Sequence, residues 1–330
     1  MKCATFIAAL LLAVCAPLRA QDVQAAGTHF HFASAAQTRR LAAADDDWTA
    51  TTGAFHRAAA VGRASLPVSE REFKAALAAT ALACTPAQVK RWTDAATEVA
   101  PRFVQLHLQL PATVTIACTN GKDGSESPFT RGDTVFLPAG FEEPHVTDTE
   151  LVAHELFHVW SRHHAAGASR LYALLGFTDA PELAWPAEWQ DARLSNPDAP
   201  HNRHAIRIET PDGPFTVMPV LVARRMPKVG ELIFAVMDVR LLAVEPSVDG
   251  QSTVPVRRDG QLVWFPAFRT ESYVEQLGGN TPYIIHPEET MADNVSYLVS
   301  GRQVRNPGLL GRVRETLLAL PNETKASRPP

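Results

Sequence analysis

Apolar residues first recur at helical spacing. Ser69-Glu70-Arg71-Glu72 has the form of a capping box, and Phe73, Ala76, Leu77 and Ala81 follow on one face of a 3.6-residue period. Thr85-Pro86 opens a second helix, with proline in the first turn where its missing N–H costs nothing. Val89, Trp92, Ala96 and Val99 carry that helix to a break near Pro101. The period then shortens to two, so residues 114–118 and 133–138 read as strands around a Gly/Ser-rich turn at 120–127. Thr147-Asp148-Thr149-Glu150 is another capping box and starts a third helix. A proline-punctuated loop over 177–200 leads to strands at 205–208, 215–222, 232–242 and 261–268. Two helices follow: 287–300, with Pro287 at its start and Gly301 past its end, and 307–320. Residues 21–66 are rich in Ala and polar residues and read as a poorly ordered leader with one short helix. Asp45-Asp46-Asp47 within it reads as a solvated run, since it lacks the spacing of a calcium loop.

This order predicts an α+β protein. Of its 330 residues, 46% are hydrophobic, enough for a large core, and the net charge of -4 gives no electrostatic argument for nucleic acid or an anionic membrane. Residues 1–20 read as a signal peptide: Lys2, an apolar stretch over 4–14 too short to span a bilayer, and Leu18-Arg19-Ala20 before a cleavage point at Gln21. Leu12-Ala13-Val14-Cys15 approaches a lipidation site, but Val14 stands where a small residue is expected. Soluble export, secreted or periplasmic, therefore ranks above a lipid anchor at Cys15. No later segment is long and apolar enough to span a membrane. After cleavage only Cys84 and Cys118 remain, and in an oxidising compartment an even pair favours one disulfide. A mostly helical region over 21–110 then precedes one larger domain over 111–330.

The third helix carries His154-Glu155-Leu156-Phe157-His158. Histidines at i and i+4 project from one helix face, one turn apart, which lets two imidazoles bind one tetrahedral Zn²⁺. Glu155 is rotated by about 100° from His154, close enough to take a proton from a zinc-bound water without taking a ligand position. His163 and His164 fall in the last turn, where cationic side chains favour the helix C-terminus, and read as structural. A third ligand must come from elsewhere, and Glu289 with Asp293 at i+4 on the 287–300 helix fits best. Asp293 can accept the N–H of a ligating histidine and fix its tautomer. Glu288 has only Ala292 one turn on, so its loss is expected to matter little. An oxyanion stabiliser cannot be chosen among Tyr283, Tyr297, His286 and Arg269. Asn294-Val295-Ser296 matches a glycosylation signal but lies inside the presumed zinc helix and is discounted.

His154-Glu155-Leu156-Phe157-His158, followed by Glu289-Thr290-Met291-Ala292-Asp293 in a later helix, resembles the gluzincin metallopeptidases, the thermolysin-like zincins. The resemblance implies zinc held by His154, His158 and Glu289, Glu155 as general base, and hydrolysis of a peptide or protein substrate. It also implies an edge strand before the motif, here 133–138, that pairs with extended substrate. The interval from His158 to Glu289 is longer than the family's, so the β-rich stretch at about 204–268 is expected to be an insertion. Two rival readings stay open: an exported zinc-binding protein without turnover, and a zinc hydrolase acting on a non-peptide substrate. The sequence does not address the oligomeric state.

Overall fold

The computed structural model describes residues 22–122 and 126–321. Residues 1–20, read above as a signal peptide, with the expected cleavage point and Cys15, lie outside the described residues, as does the polar tail from Asn322. Helix and strand are both extensive, so the chain is of mixed α and β structure, as the periodicity predicts.

The elements before the motif are β1 (Val23–Ala25), β2 (Thr28–Phe32), α1 (Ala35–Ala42), α2 (Asp47–Thr51), α3 (Ala54–Ala60), α4 (Glu70–Ala79), β3 (Ala81–Leu82), α5 (Pro86–Gln105), β4 (Thr113–Thr119), β5 (Phe129–Arg131) and β6 (Thr134–Pro138). Their strands form one sheet in the order β1-β2-β4-β6-β5, with β3 alongside β4. The inner pairs β2–β4 and β4–β6 are parallel, and β5 returns antiparallel on β6 to make the edge. Alternation sorts the side chains. Val114, Ile116 and Val135 pack with Trp92, Val99 and Phe103 of α5, whereas Ala117, Phe129 and Phe136 pack with Trp48, Phe73 and Leu77 on the other face.

Three expectations change here. Residues 22–66 are not a loose leader: Phe30 and Phe32 are buried, and β2 runs parallel to β4 in the sheet. The alternation in Thr28-His29-Phe30-His31-Phe32 carried that signal, hidden by the Ala-rich polar stretch around it. Helix α5 does not break at Pro101 but runs to Gln105, because its last turn sinks Phe103 and Leu106 into the core. That burial, roughly 1.5–3 kcal/mol for each large side chain, offsets a proline cost of about 3 kcal/mol. The strand read at 133–138 is not the sheet edge: β6 lies between β4 and β5, and Phe129–Arg131 holds the edge.

After the motif come α6 (Asp148–His163), α7 (Ala165–Ala173), β7 (Phe177–Asp179), β8 (His204–Thr210), β9 (Gly213–Ala223), β10 (Met237–Pro246), β11 (Thr253–Pro255), the small pair β12 (Arg257–Arg258) and β13 (Gln261–Leu262), β14 (Trp264–Pro266), α8 (Glu271–Gln276), α9 (Pro287–Ser300) and α10 (Pro307–Leu318). A second, antiparallel sheet runs β11-β10-β9-β8-β7, with β14 on β10. One face of it (Ile206, Ile208, Val217, Leu241) joins the same core as the first sheet and α6, so the β-rich stretch is packed into the molecule rather than hung from it. Cys84 and Cys118 form a disulfide that ties the start of α5 to β4. Among the described residues no helix is long and apolar enough to cross a membrane.

Candidate metal centre

Helix α6 starts where its capping box predicts. The Thr147 side chain accepts from the N–H of Glu150, and the Glu150 carboxylate accepts from the N–H of Thr147. Leu156, Phe157, Val159 and Trp160 bury the helix, leaving His154, Glu155 and His158 turned toward α9 and β5. Helix α9 is set by Pro287 in its first turn, by the His286 ring, which accepts from the N–H of Glu288, and by Gly301, whose φ of 76° closes it in the left-handed region. Burial and the neighbouring His204 hold the His286 imidazole down at about 3, so its ring is neutral and can cap the helix, and it stands outside the group of side chains that could share one ion. Most of α9 is buried although Glu288, Glu289 and Asp293 lie on it, and buried carboxylates require partners.

The partners are the motif histidines. His154 Nδ1–H donates to Asp293 (2.8 Å) and His158 Nδ1–H donates to Glu288 (2.8 Å). Both Nε2 atoms are thereby turned inward, 3.2 Å and 3.5 Å from the same Glu289 oxygen. These three ligand atoms lie within 4.8 Å of one another. Two atoms bound to one zinc ion can be no more than about 4.2 Å apart, the sum of two Zn–N or Zn–O bonds, and both measured separations fall inside that limit. His158 Nε2 is fully buried and has no hydrogen-bond partner, which a nitrogen lone pair reserved for a metal explains. The group fits a metal ion, and its two imidazoles and carboxylate suit a divalent transition metal, zinc among them.

Charge points the same way. Burial would lower the pKa of both imidazoles, yet both are raised: His154 by Asp293 and Glu289, and His158 by Asp198 and Glu289, to about 10. Burial also opposes ionisation of Glu289, and His158 and His154 overcome it and hold the carboxylate well below its usual range. The carboxylates around the two imidazoles thus favour positive charge in the pocket, a demand that a dication can meet in place of protons.

Around the three ligands stand residues the sequence did not reveal. The Thr130 hydroxyl of β5 donates to Glu155 Oε2 (2.6 Å), holding the carboxylate that follows the first histidine. Glu288 accepts from His158, from the Ser161 hydroxyl (2.6 Å) and from the Tyr172 hydroxyl. The expectation that Glu288 is a bystander is therefore corrected. It was judged by what lies one turn beyond it, whereas its own carboxylate reaches His158. Thr281 donates to Asp293, and Asn196 donates to Glu289. Asp198 sits 3.9 Å from His158 Nε2. Thr130, Asn196 and Asp198 come from an edge strand and a loop, and no motif spacing marks such residues.

The remaining candidates separate cleanly. The Tyr283 ring lies 6.4 Å from that of His154, whereas Tyr297 is covered by Arg302 and Arg269 lines a cavity with Phe268, Glu271 and Arg305. His163 pairs with Asp133, and His164 stacks on Trp160, both structural uses. Asn294 is fully buried and bonds Asn280 and Thr290, which excludes glycosylation of the folded chain. Comparison with protein-family models, curated proteins and solved structures finds no match to this chain, so a functional reading rests on the site itself.

Proposed function

We propose that this chain is an exported zinc-dependent peptidase of the gluzincin type, with His154, His158 and Glu289 as ligands and Glu155 as general base. The single observation that carries the reading is the orientation of the two histidines. Each Nδ1 is held by a carboxylate of α9, so each Nε2 faces Glu289, with Glu155 beside His154 on the same helix. A purely structural histidine pair has no use for Glu155 in that position. The Cys84–Cys118 disulfide supports an oxidising compartment.

When bound, zinc supplies Lewis acidity, lowering the pKa of water toward 7 and polarising a carbonyl. Glu155, steadied by Thr130, takes the proton of the attacking water and passes it to the leaving amine. Tyr283 is the donor best suited to the oxyanion. Burial, together with Glu289, Asp198, Asp293 and Glu155, pushes its phenol well above the usual value, so it stays protonated and able to donate. Asp293 and Glu288 hold the imidazoles in the tautomer that keeps Nε2 free.

One observation favours a zinc-binding protein without turnover: Glu155, His158 and Glu289 are all at most 3% exposed. Zinc analysis together with cleavage of a mixed peptide pool, with and without chelator, separates the two. A peptidase yields about one zinc per chain and cleavage that stops on chelation and returns with zinc. Full zinc occupancy with no cleavage of any peptide would favour the binding protein.

A further inference from the structure

One piece of chain, residues 195–198, lies against the site, and its contacts fall on the groups that an extended substrate would need. The central residue of the edge strand, Thr130, gives its N–H to Asp198 Oδ1 (2.6 Å), while its C=O accepts from Arg162 Nη2 (2.8 Å). Arg162 also bonds the carbonyls of Pro197 and Asp198, both at 3.1 Å, so one guanidinium fastens the segment to the strand. An extended peptide that adds to a sheet edge needs these same backbone groups. At the other end Asn196 donates to Glu289, and its side-chain oxygen accepts from the N–H of Asp198 (3.1 Å), which fixes the turn. The Asp198 oxygen that takes the Thr130 N–H is also the one 3.9 Å from His158 Nε2.

Away from the ligands the segment has two further bonds. Trp48 Nε1–H donates to the Ser195 carbonyl (2.9 Å), and the hydroxyls of Thr51 and Ser195 share a bond. The segment also forms one wall of a partly open cavity of about 60 Å³, lined on other sides by Trp48, His56, Phe129 and Tyr283. His56 Nδ1 is buried there without a partner. A stretch of chain fixed by polar side chains on one side and bordered by a void on the other can be displaced at lower cost than one packed on both sides.

Resting on the metal-centre reading above, we propose that residues 195–198 form a self-inhibitory strap, latched by Asp198 on the edge-strand N–H of Thr130, that must lift before a peptide can add to β5. Asp198 is then a gate residue. Its removal opens the site instead of disabling it, the opposite of the result expected for a ligand or a catalytic acid.

The test loads the full mature protein with Co²⁺ and titrates acetohydroxamate, a small metal-binding probe, following the visible spectrum. If the wild type is open only a minor fraction of the time, the apparent affinity of the probe is reduced by that fraction. Asp198→Ala should therefore bind acetohydroxamate at least about 10-fold more tightly than wild type and cleave peptides faster. Asp198→Asn keeps an oxygen for the Thr130 N–H and the side-chain volume, and should shift the same way by less. It also serves as the measured variant should Asp198→Ala not fold. Probe binding unchanged or weakened in the folded variants overturns the strap while leaving the metal centre standing. Failure of the wild type to bind Co²⁺ overturns the metal centre and the strap with it.

Discussion

Glu288 and Glu289 are adjacent, about 100° apart on α9, and the structure uses both. Glu289 faces the two Nε2 atoms, while Glu288 looks the other way onto His158 Nδ1, Ser161 and Tyr172. Glu289→Ala should nearly abolish zinc retention. Asp293→Ala and Glu288→Ala should each weaken it by about 10–100-fold, because each frees one imidazole to change tautomer and tilt. Competition titration against a chromophoric chelator reads all three. Wild-type affinity in Glu288→Ala would return that residue to the bystander role its sequence position suggested. Protonation gives a second prediction at this scale. In the metal-free protein the folded pKa of His158, about 10, lies above its unfolded value. The proton therefore contributes stability that is complete below about 6.5 and is lost as pH rises through the folded value. Coordination needs the neutral ring, so metal uptake must expel protons, and affinity must rise with pH across neutrality. Calorimetric titration in buffers of different ionisation enthalpy counts those protons. Uptake without proton release contradicts the charged, metal-free site.

The elements show what spacing can and cannot reveal. Helix α6 and its three motif residues were legible because a capping box and an i, i+4 pair are local patterns. Helix α9 was legible from Pro287 and Gly301, and its pairing with α6 from Asp293. The position of β6 inside the sheet was not, since strand order depends on which strand returns, and β5 is only three residues long. Thr130, Asn196 and Asp198 were invisible because they reach the site through tertiary packing alone. The Cys84–Cys118 bridge, inferred from an even count in an oxidising compartment, joins two elements of the first sheet and its helical cover. With 34 residues of separation it should contribute roughly 4 kcal/mol by restricting the unfolded chain. Urea unfolding of the double variant Cys84→Ala/Cys118→Ala should show that loss in the extrapolated stability, with a slope at least as steep as wild type because the freed unfolded chain exposes more surface. A midpoint equal to wild type would mean the bridge contributes nothing to stability.

At the scale of the whole molecule, one core runs from the first sheet through α5, α6 and α9 into the second sheet. The candidate ligands His154, His158 and Glu289 thus tie a helix near the middle of the chain to one near its end. The proposed export would place this molecule where its disulfide can persist, and intact-mass measurement should then find the mature chain beginning near Gln21 with the bridge closed. A retained Met1 contradicts the export reading. The central claim is that the ligands hold zinc and Glu155 moves the proton, two tasks that one substitution separates. Zinc content and peptide cleavage measured together on wild type and Glu155→Gln test it directly. The account predicts equal, stoichiometric zinc in both proteins and a loss of cleavage of at least about 10²–10⁴-fold in the variant, since only proton transfer is removed. Undiminished cleavage by Glu155→Gln, or no zinc in either protein, would contradict it.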